Sequence, residues 1–283
     1  MPEDAAAEPI KKGYTPGKRA TMVAGVIAVL FVVVPYLFWR DTWFGVTLSD
    51  EQLQEYFADV EHPRKAQHAL TQVSERISAN DQDVQRWYPE VIKFAGHELP
   101  ELRLTAAWVM GQDNEVDQFH RSLLTLLDDP EAMVRRNAAL ALVSFGDDAG
   151  KPELRAMLEP FTVLAPGEGT LQNRLEVGDA VDRETLLARI EIDGSPEPAE
   201  VRSPAPGIFR ERLLQDGARV QQGDELAVIG PDPTHVFEAL RAFYMIGSSE
   251  DAESIRSFAR PREGFPIRVA EQARLTLEKL RQE

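Results

Sequence analysis

The chain has 283 residues, 43% of them hydrophobic, enough to bury more than one modest core and too apolar for a disordered polymer. Its formal net charge of −16 repels phosphate backbones, and no basic stripe with interleaved aromatics offsets it, so nucleic acid is excluded as a partner while a basic soluble protein is compatible. Cysteine is absent, which excludes disulfides, thiolate zinc sites, iron–sulfur clusters and a cysteine nucleophile.

The first element in chain order is an uncharged run from Ala20 to Trp39. Roughly 20 apolar residues rising about 1.5 Å each match a hydrocarbon core of about 30 Å, so a single N-terminal transmembrane helix is expected over residues 20–40. Tyr36, Trp39 and Trp43 at its far end are aromatics of a membrane–water boundary, where a cleaved signal peptide would carry small residues. Lys11, Lys12, Lys18 and Arg19 precede the run and only Arg40 follows closely. The positive-inside rule then makes residues 1–19 a cytoplasmic tail of a single-pass protein in a bacterial inner (cytoplasmic) membrane, with the bulk of the chain periplasmic. Ala20, Ala24, Gly25 and Ala28 put small side chains near one face of this helix, as packing against a neighbouring membrane helix requires; small residues are also simply common in spanning helices.

From residue 49 the pattern turns helical. Ser49-Asp50-Glu51-Gln52 reads as a capping-box start before Leu53, Tyr56 and Phe57 at helical spacing. His62-Pro63 is followed by Ala66, Ala69 and Leu70, and Leu99-Pro100 by Leu102, Ala106, Ala107 and Met110. Asp129-Pro130 opens the best copy, in which Val134, Ala138, Ala139, Ala141 and Leu142 run on to Gly146. This spacing resembles the second helix of HEAT repeats, with proline at the helix start, small residues where repeats approach, and glycine at the end. The first helices would be Val84–Phe94 and Val116–Leu127, and such units bury their apolar faces only by stacking into a solenoid. The resemblance also implies a stacking ladder of aspartate and arginine, matched by Asp129 with Arg135 or Arg136, and by Arg103 and Arg268 at related positions.

A duplicated half-motif comes next. Leu175-Glu176-Val177-Gly178-Asp179-Ala180-Val181 is answered by Leu214-Gln215-Asp216-Gly217-Ala218-Arg219-Val220, and Leu187, Ala188 and Ile190 by Leu226, Ala227 and Ile229. Each half opens with Ala-Pro-Gly, at 165–167 and 205–207. Two such halves resemble the barrel-sandwich hybrid fold of biotinyl and lipoyl domains, which carry their cofactor on a lysine in the joining hairpin. Here that hairpin, Ile192–Val201, has none, and no lysine lies between Lys151 and Lys279, so no covalent cofactor is expected.

The helical pattern returns with Asp232-Pro233, followed by Val236, Ala239, Leu240 and Ala242, and continues in a further pair, Ser249–Phe258 and Pro266–Lys279. Lys151–Phe161 reads as a first helix whose partner lies beyond the β segment. The expected fold is thus mainly α: a transmembrane helix, HEAT-like repeats over 49–161 and 232–283, and a small all-β barrel-sandwich hybrid domain inserted at 165–230.

Catalytic motifs fail. Gly146–Pro152 is one residue short of a phosphate loop and has proline where the magnesium-binding hydroxyl belongs, and Gly167-Glu168-Gly169 lacks the third glycine of a dinucleotide fingerprint. His62, His68, His97, His120 and His235 show no metal-ligand pairing. No catalytic, cofactor or metal residues are assigned. Two functions are compatible: a non-catalytic scaffold subunit of a multi-protein membrane complex, respiratory or otherwise, and a membrane-fusion-type adaptor of a transport system. Such adaptors also pair one N-terminal span with a lysine-free barrel, but they place a long α-hairpin where this chain has the short Asp193–Glu200 loop.

Overall fold

The structure, a computed structural model, describes residues 47–59 and 61–282. The chain divides into two compact units, Met1–Glu51 and Gln52–Glu283, and of the first only residues 47–51 are described. The expected span over 20–40, with Ala20, Ala24, Gly25 and Ala28, lies outside the described residues.

The helices before the sheets are α1 (Asp50–Ala58), α2 (Pro63–Ser78), α3 (Tyr88–Ala95, entered through a 3₁₀ turn at Val84–Trp87), α4 (Pro100–Met110), α5 (Asp117–Leu126), α6 (Ala132–Ser144) and α7 (Lys151–Ala156). Pro63 and Pro100 sit in the first turn of α2 and α4, where their missing N–H has no intrahelical partner to lose. Pro130 does not start its helix: Glu131 is the extended N-cap and α6 begins at Ala132. The ends are set by left-handed residues. Gly146 has φ +69°, its N–H bonds to the Val143 carbonyl at 3.0 Å, and the Asp147 N–H bonds to the Leu142 carbonyl at 3.2 Å, a Schellman closure. Asn80, φ 56°, closes α2 in the same way, with Asp81 bonding back to Arg76.

Helices α2, α4 and α6 pack side by side as a row of second helices, and α3 and α5 form the layer behind them. Two glycines allow the close approach. A Cβ at Gly111 would come within 2.8 Å of the Ala141 Cβ, and one at Gly150 within 2.8 Å of the Ala139 Cα.

The expected first helix Lys151–Phe161 is shorter. It stops at Ala156, and Phe161 already begins β1 (Phe161–Leu164). Then follow β2 (Gly169–Asn173), β3 (Ala180–Val181), β4 (Leu186–Glu191), β5 (Ala199–Arg202), β6 (Gly207–Arg212), β7 (Arg219–Val220) and β8 (Glu225–Pro231). They form two four-stranded antiparallel sheets, in the orders β1-β8-β6-β3 and β5-β4-β2-β7. Replacing each strand by its counterpart in the other half turns one order into the other, so the duplication relates sheet to sheet, and each half gives two strands to both. One apolar cluster, including Leu171, Leu187, Ile190, Phe209, Leu226 and Ile229, draws on both sheets.

The expected fold class therefore needs correction. The chain is not mainly α with an all-β barrel: the described residues combine helices with two separate antiparallel sheets, each with a strand of only two residues, β3 or β7, at one edge. The long helical periodicities of the flanks outweigh eight short strands when the sequence is read by period. Among the described residues no helix is long and apolar enough to cross a membrane.

The turns show the duplication at atomic level. The Gly178 N–H bonds to the Phe209 carbonyl at 2.8 Å, and the Gly217 N–H to the Leu171 carbonyl at 2.9 Å. A Cβ on Gly169 would collide with the Glu191 carbonyl and Ile190, and one on Gly207 with the Gly230 carbonyl and Ile229, whereas Gly167 has open space. Gly169, and not Gly167 of the Ala-Pro-Gly repeat, is thus the counterpart of Gly207.

Helices resume with α8 (Pro233–Ile246), a 3₁₀ turn at Ser249–Asp251, α9 (Ala252–Arg256) and α10 (Ile267–Leu280). Asp232 caps α8 by accepting the Thr234 and His235 N–H groups at 2.8 and 2.9 Å. Helices α7 and α8, on either side of the sheets in sequence, share one core: Leu154, Met157 and Leu158 meet Val236, Leu240 and Phe243. Helix α8 packs beside α6 and α10, which extends the row of second helices.

Candidate functional site

The row of second helices is held along the end where each begins. Arg103 is the fourth residue of α4. Its Nε and Nη2 donate to the two carboxylate oxygens of Asp129 at 2.6 and 2.8 Å, and its Nη1 donates to the His97 and Glu98 carbonyls, both at 2.9 Å. Arg135 is the fourth residue of α6 and repeats the pattern, with Nη1 on the Asp129 and Pro130 carbonyls and Nε on Glu153 at 3.1 Å. Each arginine thus ties a second helix to the turn before it and, through a carboxylate, to the next repeat. Burial works against the charge of Asp129, but the Arg103 guanidinium and the Glu131 N–H hold its carboxyl below the usual range.

Arg136, one position on, points elsewhere. Its side chain is only 9% exposed, its Nε lies 3.6 Å from Glu153, and its Nη1 lies 3.4 Å from His235 Nδ1 on α8. Arg268 is the second residue of α10, off the ladder position by half a turn, and stacks over the Phe237 ring at 5.0 Å. Of the predicted ladder, the structure joins Arg103, Asp129 and Arg135, sets Arg136 at a separate joint and leaves Arg268 out.

Two further ionic contacts were not evident in the sequence. Arg183, in the turn between β3 and β4, pairs with Glu101 at 3.0 Å and Glu131 at 3.7 Å, which seats the sheets against the starts of α4 and α6. Its counterpart in the other half is Gln222, and that break in the duplication is the signal that marks it. Asp251, with 0% side-chain exposure, accepts Arg155 Nε at 2.9 Å and Nη2 at 2.5 Å, with Lys151 at 3.5 Å, and closes the α7–α8 pair across the sheets. Burial again opposes its charge, while the Ser248 N–H and Arg155 hold the carboxyl below its ordinary value.

The same row carries exposed apolar side chains: Trp108 on α4, Tyr244 and Met245 on α8, and Leu275 on α10, 44 to 59% exposed. Lys279 of α10 lies 5.6 Å from the Tyr244 ring centre and donates to the Met245 carbonyl, so Tyr244 and Met245 border α10 directly. Among the described residues no group of three or more His, Asp or Glu side chains is placed to hold a metal ion. His120 and Asp147 approach to 2.7 Å, but Asp147 also accepts the Ala149 N–H and the imidazole stacks on Phe145, so the pair braces a turn.

Residues 88–161 match the family model for HEAT repeats. The chain therefore carries HEAT repeats, and the matched stretch runs from the start of α3 through α7 to the first residue of β1. No curated protein matches the chain. The ectoine utilization protein EutE (DoeB) from Ruegeria pomeroyi, in its apo and product-bound structures, is 20% identical over 36% of this chain, with TM-scores of 0.24 and 0.23. The matched part covers 34% and 33% of those chains, about a third of their length, and a likeness at that TM-score carries no argument about this protein.

Proposed function

We propose that this protein is a non-catalytic docking subunit of a multi-protein assembly, presenting its helical repeats and sheets as a platform on the outer side of a bacterial cytoplasmic membrane. The observation that carries the reading is the row of second helices in a HEAT-repeat chain, braced by arginines at one end and bearing exposed Trp108, Tyr244, Met245 and Leu275. Stacked repeats offer extended surfaces, and large aromatic side chains dominate the energy of the interfaces they enter. The net charge of −16 favours a partner with a basic face.

The test is affinity purification of the full chain from membranes in mild detergent, with Trp108→Ala and Tyr244→Ala beside the parent. Specific subunits should co-purify, and each variant should lower their recovery about tenfold, the effect of losing about 1.4 kcal/mol at an interface, while the melting midpoint stays within about 1 °C because neither ring is buried. Full recovery with both variants refutes docking through this row. Recovery of a transporter and its outer components would favour the adaptor function instead. Intact-mass measurement tests the cofactor expectation, since the hairpin holds no lysine; an added lipoyl or biotinyl mass would overturn it.

A further inference from the structure

We infer that His235 is an acid-sensitive latch at the point where the chain returns from the sheets to the helices. β8 ends at Pro231, Asp232 caps the next helix, and His235 stands in its first turn facing α6. There Arg136 Nη1 lies 3.4 Å from His235 Nδ1. An arginine N–H can only donate, so Nδ1 must present its lone pair and the ring must be neutral, with its proton on Nε2.

The surroundings make this arrangement sensitive to one proton. Arg136 is already short of acceptors: its buried Nε has no hydrogen-bond partner, and the near oxygen of Glu153 on α7, Oε1, stands 3.6 Å off while Oε2 of the same carboxylate accepts Arg135 at 3.1 Å. The charged groups on the side of the imidazole are Arg136 from α6, Glu153 from α7 beyond it, and Asp232 at the start of α8 itself; Arg268 from α10 lies over Phe237, about half a turn away on α8. Asp232 is the one close group that favours protonation, and one of its oxygens is committed to the Thr234 and His235 N–H groups. Adding a proton at Nδ1 replaces an acceptor with a donor, so two N–H groups face each other and a second cation enters a half-buried site. Burial first, and then Arg136, hold the imidazole below its ordinary proton affinity, which agrees with this geometry.

The strain is relieved by withdrawing the first turn of α8 from α6. That turn is joined through Asp232 to Pro231, and β8 is an inner strand of its sheet, so the response starts where helices and sheets connect. The latch is closed while His235 is neutral and is released as the pH falls below the free-histidine value of about 6.5.

Hydrogen exchange of the full chain, corrected for intrinsic rates, tests this at about pH 7.5 and about pH 5, two conditions that bracket the histidine range. Peptides over 232–240 should lose protection about tenfold at the lower pH as the first turn of α8 opens locally, while peptides over α4 stay unchanged. His235→Gln keeps an acceptor for Arg136 without a titrating ring and should abolish the response. Equal protection at both conditions, an equal response in the variant, or a loss shared by α4 overturns the latch. Should the variant not fold, nitrogen-15 spectra of the parent decide: the inference requires the His235 proton on Nε2 at neutral pH and a midpoint below about 6.5. A midpoint at or above that value refutes it.

Discussion

Glu184 offers a quantitative test of the duplication. It has φ 66° in the turn between β3 and β4, and its counterpart in the other half, Gly223, has φ 90°. Both turns are fixed by matching bonds. The Glu184 N–H bonds to the Ser203 carbonyl at 2.8 Å, and the Gly223 N–H bonds to the Ala165 carbonyl at 2.9 Å. An L-residue held in the left-handed region costs about 1–2 kcal/mol, and the Glu184 side chain is exposed to solvent. Glu184→Gly removes that cost but adds about 0.5–1 kcal/mol of backbone entropy to the unfolded chain. The net expectation is a gain of about 0.5–1 kcal/mol. Gly223→Ala runs the other way. Its Cβ would meet nothing within 4 Å, so its loss is purely conformational, about 1 kcal/mol. Urea unfolding followed by circular dichroism measures both, with a constant slope showing that the denatured state is unchanged. A lower midpoint for Glu184→Gly, or a neutral Gly223→Ala, refutes the equivalence of the two turns.

Other consequences can be measured in the same way. Gly169→Ala and Gly207→Ala should each cost about 3 kcal/mol or more, because the new methyl group meets a strand carbonyl, while Gly167→Ala should stay within about 0.5 kcal/mol; a costly Gly167→Ala would restore the Ala-Pro-Gly register. Arg103→Lys keeps the charge but loses the two-pronged grip on Asp129 and should cost about 1–2 kcal/mol, against less than about 0.5 kcal/mol for Arg268→Lys outside the ladder. Asp251→Ala leaves Arg155 and Lys151 facing an empty buried site and should cost about 3 kcal/mol in urea titration. Since the carboxyls of Asp251 and Asp129 are held below their ordinary values, the stability they supply is complete above about pH 4 and is lost as acid protonates the folded state. Unfolding midpoints from pH 5 to about pH 2.5 should fall less steeply in Asp251→Asn than in the parent.

Much of this organisation could be read from residue types because local rules and global packing agree. Proline in the first turn placed the starts of α2, α4 and α8, and Gly247 the end of α8, while the ladder arginine of α6 stayed open between Arg135 and Arg136 because Pro130 does not begin that helix. Where a structural demand leaves no mark on the residue, the reading failed. Nothing about Glu184 says that it is left-handed; only Gly223 in the same place does. Ala-Pro-Gly repeats in letters, yet its two copies stand two positions out of structural register: Ala165 matches Ser203, and the steric need falls on Gly169. Arg155 and Asp251 meet across the whole β segment, a separation that no local pattern spans. Helical period carried Lys151–Phe161 too far, because Leu154, Met157 and Leu158 face one core and Phe161 already packs against another.

The exchange of strands between halves has a consequence for how this chain can be cut. β2 of the first half lies between β4 and β7, and β8 of the second half lies between β1 and β6, so each half is threaded into the hydrogen-bond ladders of the other. The covalent link between them is the exposed hairpin around Asp193–Pro198, away from every ladder bond. A protease that severs it creates two polypeptides but no new surface, because separating them means breaking both sheets and the core they share. Such a nick is silent: the fragments co-migrate until denaturant is added, and the damaged molecule keeps its shape.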